Sequence, residues 1–220
     1  MLAIGRPGGN GAMSFISLQR LSAIASAILL PATLHAALPT PAEAPERSFL
    51  TGQLLIASPS MGDPRFLQTV ILMVQHDRNG ALGIVINRPV GDRPLARLLE
   101  ALGEKDPGVA GTVRILAGGP VQPDIGFVLH SADYHRPDTV EIDGHVAMTS
   151  SREILRDIAN QRGPKKSLIA FGYAGWAPGQ LEGEIAHGFW FTTPQDENLV
   201  FDDNRDDLWD HAMKRRTQDL

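Results

Sequence analysis

Three side chains able to bind a metal ion lie close together just after an apolar run that ends at His130. His130, Asp133 and His135 combine imidazole and carboxylate groups, which zinc and harder divalent cations take as ligands. Their spacing is not specific to a metal site, however, and solvated loop residues account for it equally well. We therefore expect no metal site at these residues.

Motifs of the common nucleotide-binding and hydrolytic enzymes are missing from the chain. It contains no G-x-x-x-x-G-K-[ST] phosphate loop, no G-x-S-x-G nucleophile turn and no H-E-x-x-H zinc motif. His76 and Asp77 are adjacent on a predicted strand, where successive side chains point to opposite faces. Glu182 and Glu184 are two residues apart on a predicted helix, so their carboxylates diverge. We expect no catalytic residue among them and no cofactor.

Two glycine-rich stretches are the candidates for a ligand or partner surface. The first, Gly118-Gly119-Pro120, is a predicted turn between two strands. The second runs from Gly172 to Gly179 and includes Tyr173, Gly175 and Trp176. We interpret it as a loop between a strand and a helix, where free backbone N–H groups suit an anion. The alternative is that its glycines only permit tight packing beneath Trp176, because the loop carries no Lys, Ser or Thr.

The elements that must position these residues follow from hydrophobic periodicity and from turn signals. Strands are predicted over 54–57, 70–74, 81–86, 113–117, 126–130, 140–142, 167–171 and 189–192. Helices are predicted from Asp92 to Gly103, over 150–159 behind a capping box of Ser150 and Glu153, over 180–187, and from about Asp203 to Arg216. Asn79-Gly80 predicts a type I′ hairpin. Together these patterns predict an α+β domain with α/β-type layering, in which helices pack on a mixed sheet.

Composition limits the class of protein further. The 220 residues include no cysteine, which excludes disulfides, thiolate metal sites and cysteine nucleophiles. The net charge is -5, whereas a duplex DNA binder usually presents a basic face. We therefore expect no direct DNA binding.

The first 48 residues are predicted to be a signal-like leader followed by a Pro/Ala-rich linker, and residues 49–220 to form a single domain. Leu21 to Leu30 is an apolar run between Arg20 and Pro31, with a small-residue cleavage site before Ala37. Its ten residues are too few to span a membrane, which takes about 20. A misassigned start or a frayed apolar leader is the alternative.

Several stretches together resemble the AlgH/YqgE family of bacterial proteins. They are 54–66, 76–89, 118–121, 127–130 and 172–185, and the resemblance covers about residues 50 to 216. It implies a compact domain whose mixed, bifurcated sheet curls toward a pseudo-barrel with helices around it. It implies no established catalytic residue, no cofactor and a cytosolic location. The extension before residue 49 departs from the family pattern, so a periplasmic location after cleavage is the alternative.

Two classes of function follow from these observations. The first is a non-enzymatic binding or regulatory protein that acts through a protein or small-molecule partner. The alternative is a nucleotide- or metabolite-binding enzyme that uses the Gly172–Gly179 loop. The regulator label that some members of the family carry implies an effect on transcription rather than a DNA-binding surface.

Overall fold

The computed structural model describes residues 49–104 and 108–216. The strands are β1 (Gln53–Ala57), β2 (Val70–Asp77), β3 (Gly80–Val85), β4 (Pro89–Pro94), β5 (Thr112–Ala117), β6 (Val121–Ser131), β7 (Thr139–Glu141), β8 (Val146–Thr149), β9 (Ser167–Trp176) and β10 (Trp190–Pro194). The helices are α1 (Leu95–Ala101), α2 (Glu153–Ala159), α3 (Gln180–Ala186), α4 (Glu197–Val200) and α5 (Leu208–Arg215). The predicted leader and linker lie outside the described residues, and the domain boundary at 49 stays a prediction.

The strands form one mixed sheet that divides at β9. Along the main path the order is β10-β1-β2-β3-β9-β6-β8-β7, and β5 joins β4 and β9 off this path. Strand β3 pairs with β9 over residues 174–176, whereas β5 pairs with it over 169–171, in parallel. All other described pairs are antiparallel. The predicted α+β class and the mixed, bifurcated sheet are therefore confirmed.

The sheet curls into a half-barrel, and alternating residues of its strands enter different cores. Leu54 and Ile56 of β1 face the inner core, which α4 and α5 close with Val200, Leu208 and other apolar side chains. Leu55 and Ala57 of the same strand face an outer core beneath α3. A second outer core lies beneath α1 and α2. The period of two along the strands thus supplies apolar side chains to both faces of the sheet.

The predicted hairpin is confirmed, but its turn differs from the prediction. Strands β2 and β3 are antiparallel with Asp77 opposite Gly80, so the loop is Arg78-Asn79. Gly80 has a φ of +130°, and Asn79 is not among the described residues with positive φ, which excludes a type I′ turn. Instead, the backbone N–H of Asn79 donates to the Asp77 carboxylate at 2.6 Å. An Asx turn therefore closes the hairpin.

Three predicted helix starts are wrong. Asp92 lies in β4 and α1 begins only at Leu95, because the proline-flanked segment pairs as an edge strand with β5. The capping box of Ser150 and Glu153 does not form, since Arg152 is the N-cap of α2 and makes no side-chain cap hydrogen bond. Helix α5 begins at Leu208 rather than near Asp203. No helix in the described ranges has the length and apolar character that a membrane span requires.

Candidate functional site

The first predicted glycine surface is a crossing of two backbone segments. Strand β5 ends beside Phe171 on one edge of β9, and β6 pairs with the same residue on the other edge. The connection therefore passes over β9, where a Cβ on Gly119 would lie 2.1 Å from the Tyr173 carbonyl carbon. A Cβ on Gly172 would lie 2.4 Å from the Gly119 carbonyl oxygen. Gly118, Gly119, Gly172 and Tyr173 are thus brought together, and the glycines permit this close approach.

The predicted loop from Gly172 to Gly179 is mostly strand, which corrects the secondary structure expected there. Strand β9 continues to Trp176, and Gly175 pairs with Leu82 of β3. Only the short connection at 177–179 separates β9 from α3, where Gly179 has a φ of +78°. The strand continues because its backbone groups pair with β3, so a turn at the glycines is not required. These residues lie away from the Gly118–Gly172 crossing, at the far end of β9.

Trp176 contributes to a cluster that the sequence did not predict. The indole N–H groups of Trp176 and Trp190 both donate to Oε2 of Glu184, at 2.9 and 2.7 Å. The two rings meet edge to face with centroids 6.1 Å apart. Glu182 points elsewhere, and its Oε1 lies 3.5 Å from Nε2 of buried His76. Each carboxylate of α3 therefore serves a different structural partner.

The three side chains considered for a metal ion do not come together. His130 is fully buried and lies 2.9 Å from the hydroxyl of Thr149. Asp133 accepts a hydrogen bond from Ser131, whereas exposed His135 lies 3.9 Å from Glu141. Within residues 49–104 and 108–216, no group of three His, Asp or Glu side chains is arranged to hold a metal ion.

A polar pocket that the sequence did not predict lies where the chain leaves β3. We call it the Arg205 pocket, and its volume is about 280 Å³. Its lining comes from the loop before β2, the turn after β3 and the start of α5. These lining residues are Leu67, Gln68, Asn87, Arg88, Arg205, Asp206, Trp209 and Asp210.

Arg205 is the most unusual residue of this pocket, because it is only 3% exposed. Its Nη1 donates to the carbonyl oxygen of Val200 at 2.7 Å and approaches that of Ile86 at 3.5 Å. Its buried Nε has no hydrogen-bond partner among the described residues. Burial lowers the pKa of the Arg205 guanidinium to about 10, so the side chain remains a cation at neutral pH. The pocket therefore has a buried, incompletely bonded positive charge in its wall.

Asn87 and Arg88 build the opposite wall by holding the loop before β2. The Asn87 side chain accepts from the backbone N–H of Val70 at 2.9 Å and donates to the Gln68 carbonyl at 2.8 Å. Arg88 donates through Nη2 to the carbonyl of Leu67 at 3.1 Å and to the hydroxyl of Thr69 at 2.8 Å. These bonds fix the Arg88 side chain, so a second cation lines the pocket in a defined position.

The glycine crossing and the Arg205 pocket share a backbone framework. The carbonyl of Arg88 accepts from the N–H of Ala117, the residue before Gly118, at 2.9 Å. The N–H of Val85 donates to the carbonyl of Gly118 at 2.8 Å. The crossing thus sets where the turn after β3 leaves the sheet, and so positions Arg88.

A second surface pocket, of about 380 Å³, lies between α4 and α5. Its Lys214 and Arg215 are exposed, and Arg215 already pairs with Asp196 at 2.5 Å. The Arg205 pocket is the stronger candidate because its buried cation lacks such a carboxylate.

Only one sequence signal could have indicated this site. Asn87-Arg88-Pro89 belongs to the stretches that carry the family resemblance, yet nothing in them requires Arg88 to line a cavity. Arg205 stands among aspartates at the start of the helix predicted from about Asp203, where nothing in the sequence indicates that it is buried. The pocket joins residues more than one hundred positions apart, so local patterns do not reveal it.

Comparison with known proteins shows what the chain is similar to. A family model described as DUF179, AlgH-like, matches residues 54–220. A UPF0301 protein of Afipia carboxidovorans is 44% identical over 191 residues, which are 83% of this chain and 91% of that protein. A UPF0301 protein of Jannaschia sp. is 46% identical over 167 residues, which are 75% and 87% of the two chains.

Two solved structures share the fold. The solution structure of AlgH from Pseudomonas aeruginosa matches with a TM-score of 0.65 at 41% identity, covering 80% of this chain and 92% of that one. A crystal structure of a Corynebacterium diphtheriae protein matches with a TM-score of 0.62 at 23% identity, covering 77% and 88%. The second likeness concerns the fold alone.

Proposed function

This chain belongs to the AlgH-like family, and we propose that it is a non-enzymatic binding protein that holds a small anionic metabolite in the Arg205 pocket. A regulatory action would then follow from the ligand's presence rather than from its conversion.

The observation that carries this proposal is the buried guanidinium of Arg205 with its unpartnered Nε. A buried charge is costly unless a counter-charge or a full set of hydrogen bonds compensates it. A carboxylate or phosphate in the pocket would supply the counter-charge, since guanidinium groups bind such anions through charge-assisted hydrogen bonds. Arg88 adds a second positive charge to the lining of the pocket. An anion in this pocket would therefore be held by two cations.

The volume of the pocket and the net charge of the chain limit the class of ligand. Cavities that bind drug-sized molecules measure roughly 300–1,000 Å³, so about 280 Å³ favours a small metabolite over a dinucleotide. The net charge of -5 disfavours nucleic acid, whose phosphates require an extended basic face. Both observations support a small anion as the ligand.

The enzymatic alternative receives less support from the geometry. It required free backbone N–H groups between Gly172 and Gly179, but residues 174–176 are paired with β3. Helix α3, which follows, has only seven residues. The Arg205 pocket contains no Ser, Lys or His, and its two carboxylates, Asp206 and Asp210, are exposed to solvent, which does not raise their basicity as burial would. We therefore favour binding without conversion.

Thermal unfolding with inorganic phosphate, glutarate, butyrate, glutamate and 4-aminobutyrate as probes tests the proposal. A probe at 100 times its Kd stabilises the protein by about 2.7 kcal/mol, which is a readily measured shift of the thermal midpoint. Arg205→Met keeps the volume and removes the charge, so we expect it to fold and to lose the shift. Arg97→Met is the matched control, because Arg97 is exposed and lies outside the pocket.

Two results would overturn the proposal. One is the absence of a shift with every probe in the unmodified protein. The other is an equal shift in the protein and in Arg205→Met. Should Arg205→Met fail to fold, the Trp209 indole resonance in the unmodified chain provides the second measurement, because Trp209 lines the pocket. An anion bound there must move this resonance.

A further inference from the structure

Four charged side chains line the Arg205 pocket without forming ion pairs. Arg88 and Arg205 are cations, whereas Asp206 and Asp210 are anions. The ion pairs of the described residues, defined by an N–O distance of at most 4.0 Å, involve none of these four. Even Arg205 and Asp206, which are adjacent in the chain, stay apart. The pocket therefore presents separated positive and negative groups.

This separation follows from where the groups are anchored. Arg205 is buried and bonds to the carbonyl of Val200, and Arg88 bonds to the loop before β2. Asp206 and Asp210 are exposed; Asp206 precedes α5 and Asp210 lies in its first turn. The cations are thus fixed in the wall, while the anions lie at the solvent edge. A ligand that bound only to the two arginines would place its remaining atoms beside the two aspartate carboxylates.

Resting on the function proposed above, we infer that the ligand is a zwitterion of the amino-acid class. Its carboxylate binds Arg205 and Arg88, and its ammonium group lies against Asp206 and Asp210. Each charged group of the pocket then has a partner of opposite sign. A simple dianion would instead face repulsion from the two aspartates.

Trp209 strengthens the choice of an ammonium group over a neutral one. Its indole N–H donates to the carbonyl of Ala57 at 2.8 Å, which ties the ring to the edge of β1. The same ring lines the pocket, between Asp206 and Asp210 in sequence. Aromatic faces attract cations, and Trp is the strongest of them. An ammonium group at this edge thus meets two carboxylates and an aromatic ring.

Helix electrostatics offer a competing explanation for the aspartates, because acids stabilise a helix N-terminus. Asp207 distinguishes a role in the helix from a role in ligand binding. It is the N-cap residue of α5 and accepts a hydrogen bond from Asn204, but it does not line the pocket. A helix role therefore applies to all three aspartates, whereas a ligand role applies only to Asp206 and Asp210.

The experiment compares ligands that differ only in the amino group. Dissociation constants are measured by calorimetry for glutamate against glutarate and for 4-aminobutyrate against butyrate, with the full-length chain. We expect the amino compound of at least one pair to bind about tenfold tighter or more, which corresponds to about 1.4 kcal/mol. In Asp206→Asn/Asp210→Asn this preference should fall below about twofold, and in Asp207→Asn it should persist.

The outcomes distinguish this inference from the proposed function. Glutamate and glutarate could bind with equal affinity and both lose binding in Arg205→Met. In that case the anion site is supported, and the inference that the ligand is a zwitterion is wrong. If none of the four compounds and no phosphate binds, the proposed function is wrong as well. A preference that survives in Asp206→Asn/Asp210→Asn also overturns the inference. Should the double variant fail to fold, Asp206→Asn alone is used, since Asp206 is exposed and precedes the helix.

Discussion

Nε2 of His130 accepts a hydrogen bond from the hydroxyl of Thr149, 2.9 Å away. The direction follows from the other ring nitrogen: Nδ1 lies 3.0 Å from the carbonyl oxygen of Ser131, which only accepts, so Nδ1 carries the proton. The Thr149 oxygen in turn accepts from Thr139 at 2.7 Å, and Thr139 accepts from the backbone N–H of Arg136 at 2.9 Å. Neutral His130 therefore completes an ordered chain of donors and acceptors.

Stability should fall as the solution is acidified, because His130 is buried in its neutral form. Burial lowers the pKa of His130 below its usual 6.5, so near that pH the unfolded chain binds the proton more readily than the folded protein does. The free energy of unfolding should therefore decrease as the pH drops through about 6.5, and level off below the folded pKa. Urea unfolding across this range measures the slope. The slope should flatten in His130→Asn and persist in His145→Gln, whose ring is exposed; an unchanged slope in His130→Asn contradicts the assignment.

The shared carboxylate of Glu184 should matter more to stability than its position on a surface helix implies. Glu184→Ala leaves the indole N–H groups of Trp176 and Trp190 without their acceptor, and each unpaired donor costs about 1–3 kcal/mol. Glu184→Gln retains one side-chain oxygen, so we expect it to lose less than half as much. Chemical unfolding measures both. Equal losses in the two variants would show that the acceptor oxygen is not what stabilises the pair.

Gly119 and Gly183 should respond to alanine in opposite directions. At Gly119 the added Cβ would meet the backbone of Tyr173 at 2.1 Å, and φ is +153°, so we expect a loss of more than about 3 kcal/mol. At Gly183 nothing lies within 4 Å and the residue is inside α3, so alanine should stabilise by about 1 kcal/mol. The thermal midpoints of the two variants, compared with that of the unmodified protein, test both expectations. A folded Gly119→Ala protein with an unchanged midpoint would contradict the crossing.

Removing residues 1–46 should leave the thermal midpoint nearly unchanged, because that segment has no periodic apolar face with which to pack. Removing residues 1–52 should lower it. This longer deletion takes away the Leu50 N–H, which donates to buried His76 at 3.1 Å, and the Thr51 hydroxyl, which accepts from the His76 backbone at 2.9 Å. A loss of several degrees with the shorter deletion would show that the leader packs on the domain.

The parts of the fold that the sequence predicted are those governed by local patterns. The β2–β3 hairpin and helix α3 follow from short-range signals, an Asn-Gly turn and a stripe of apolar residues. The sequence does not indicate strand β4, because Asp92 followed by Pro94 resembles the start of a helix. Its pairing with β5 decides its conformation, and that partner lies about twenty residues away.

The candidate site was less predictable than the fold, because it also depends on contacts between residues far apart in the chain. The sequence indicates both glycine stretches. It does not indicate that Gly119 and Gly172 meet at a crossing, because that contact depends on the whole sheet. Arg205 falls near the start of the helix predicted from about Asp203, and no local pattern indicates that it is buried. It is buried beside the carbonyl groups of Val200 and Ile86, and the contact with Ile86 joins residues 119 positions apart.

Strand β9 also determines when the sheet can be completed during synthesis. It pairs with β3, β5 and β6, yet it begins at Ser167, about eighty residues after β3 ends at Val85. At roughly 5–20 residues per second, a ribosome takes on the order of 4–16 seconds to cover that interval. During this interval the edge of β3 that later pairs with β9 remains unpaired, and unpaired strand edges are prone to pair with other chains. Until the ninth strand is made, the open edge of β3 is therefore a place where nascent chains can pair with one another.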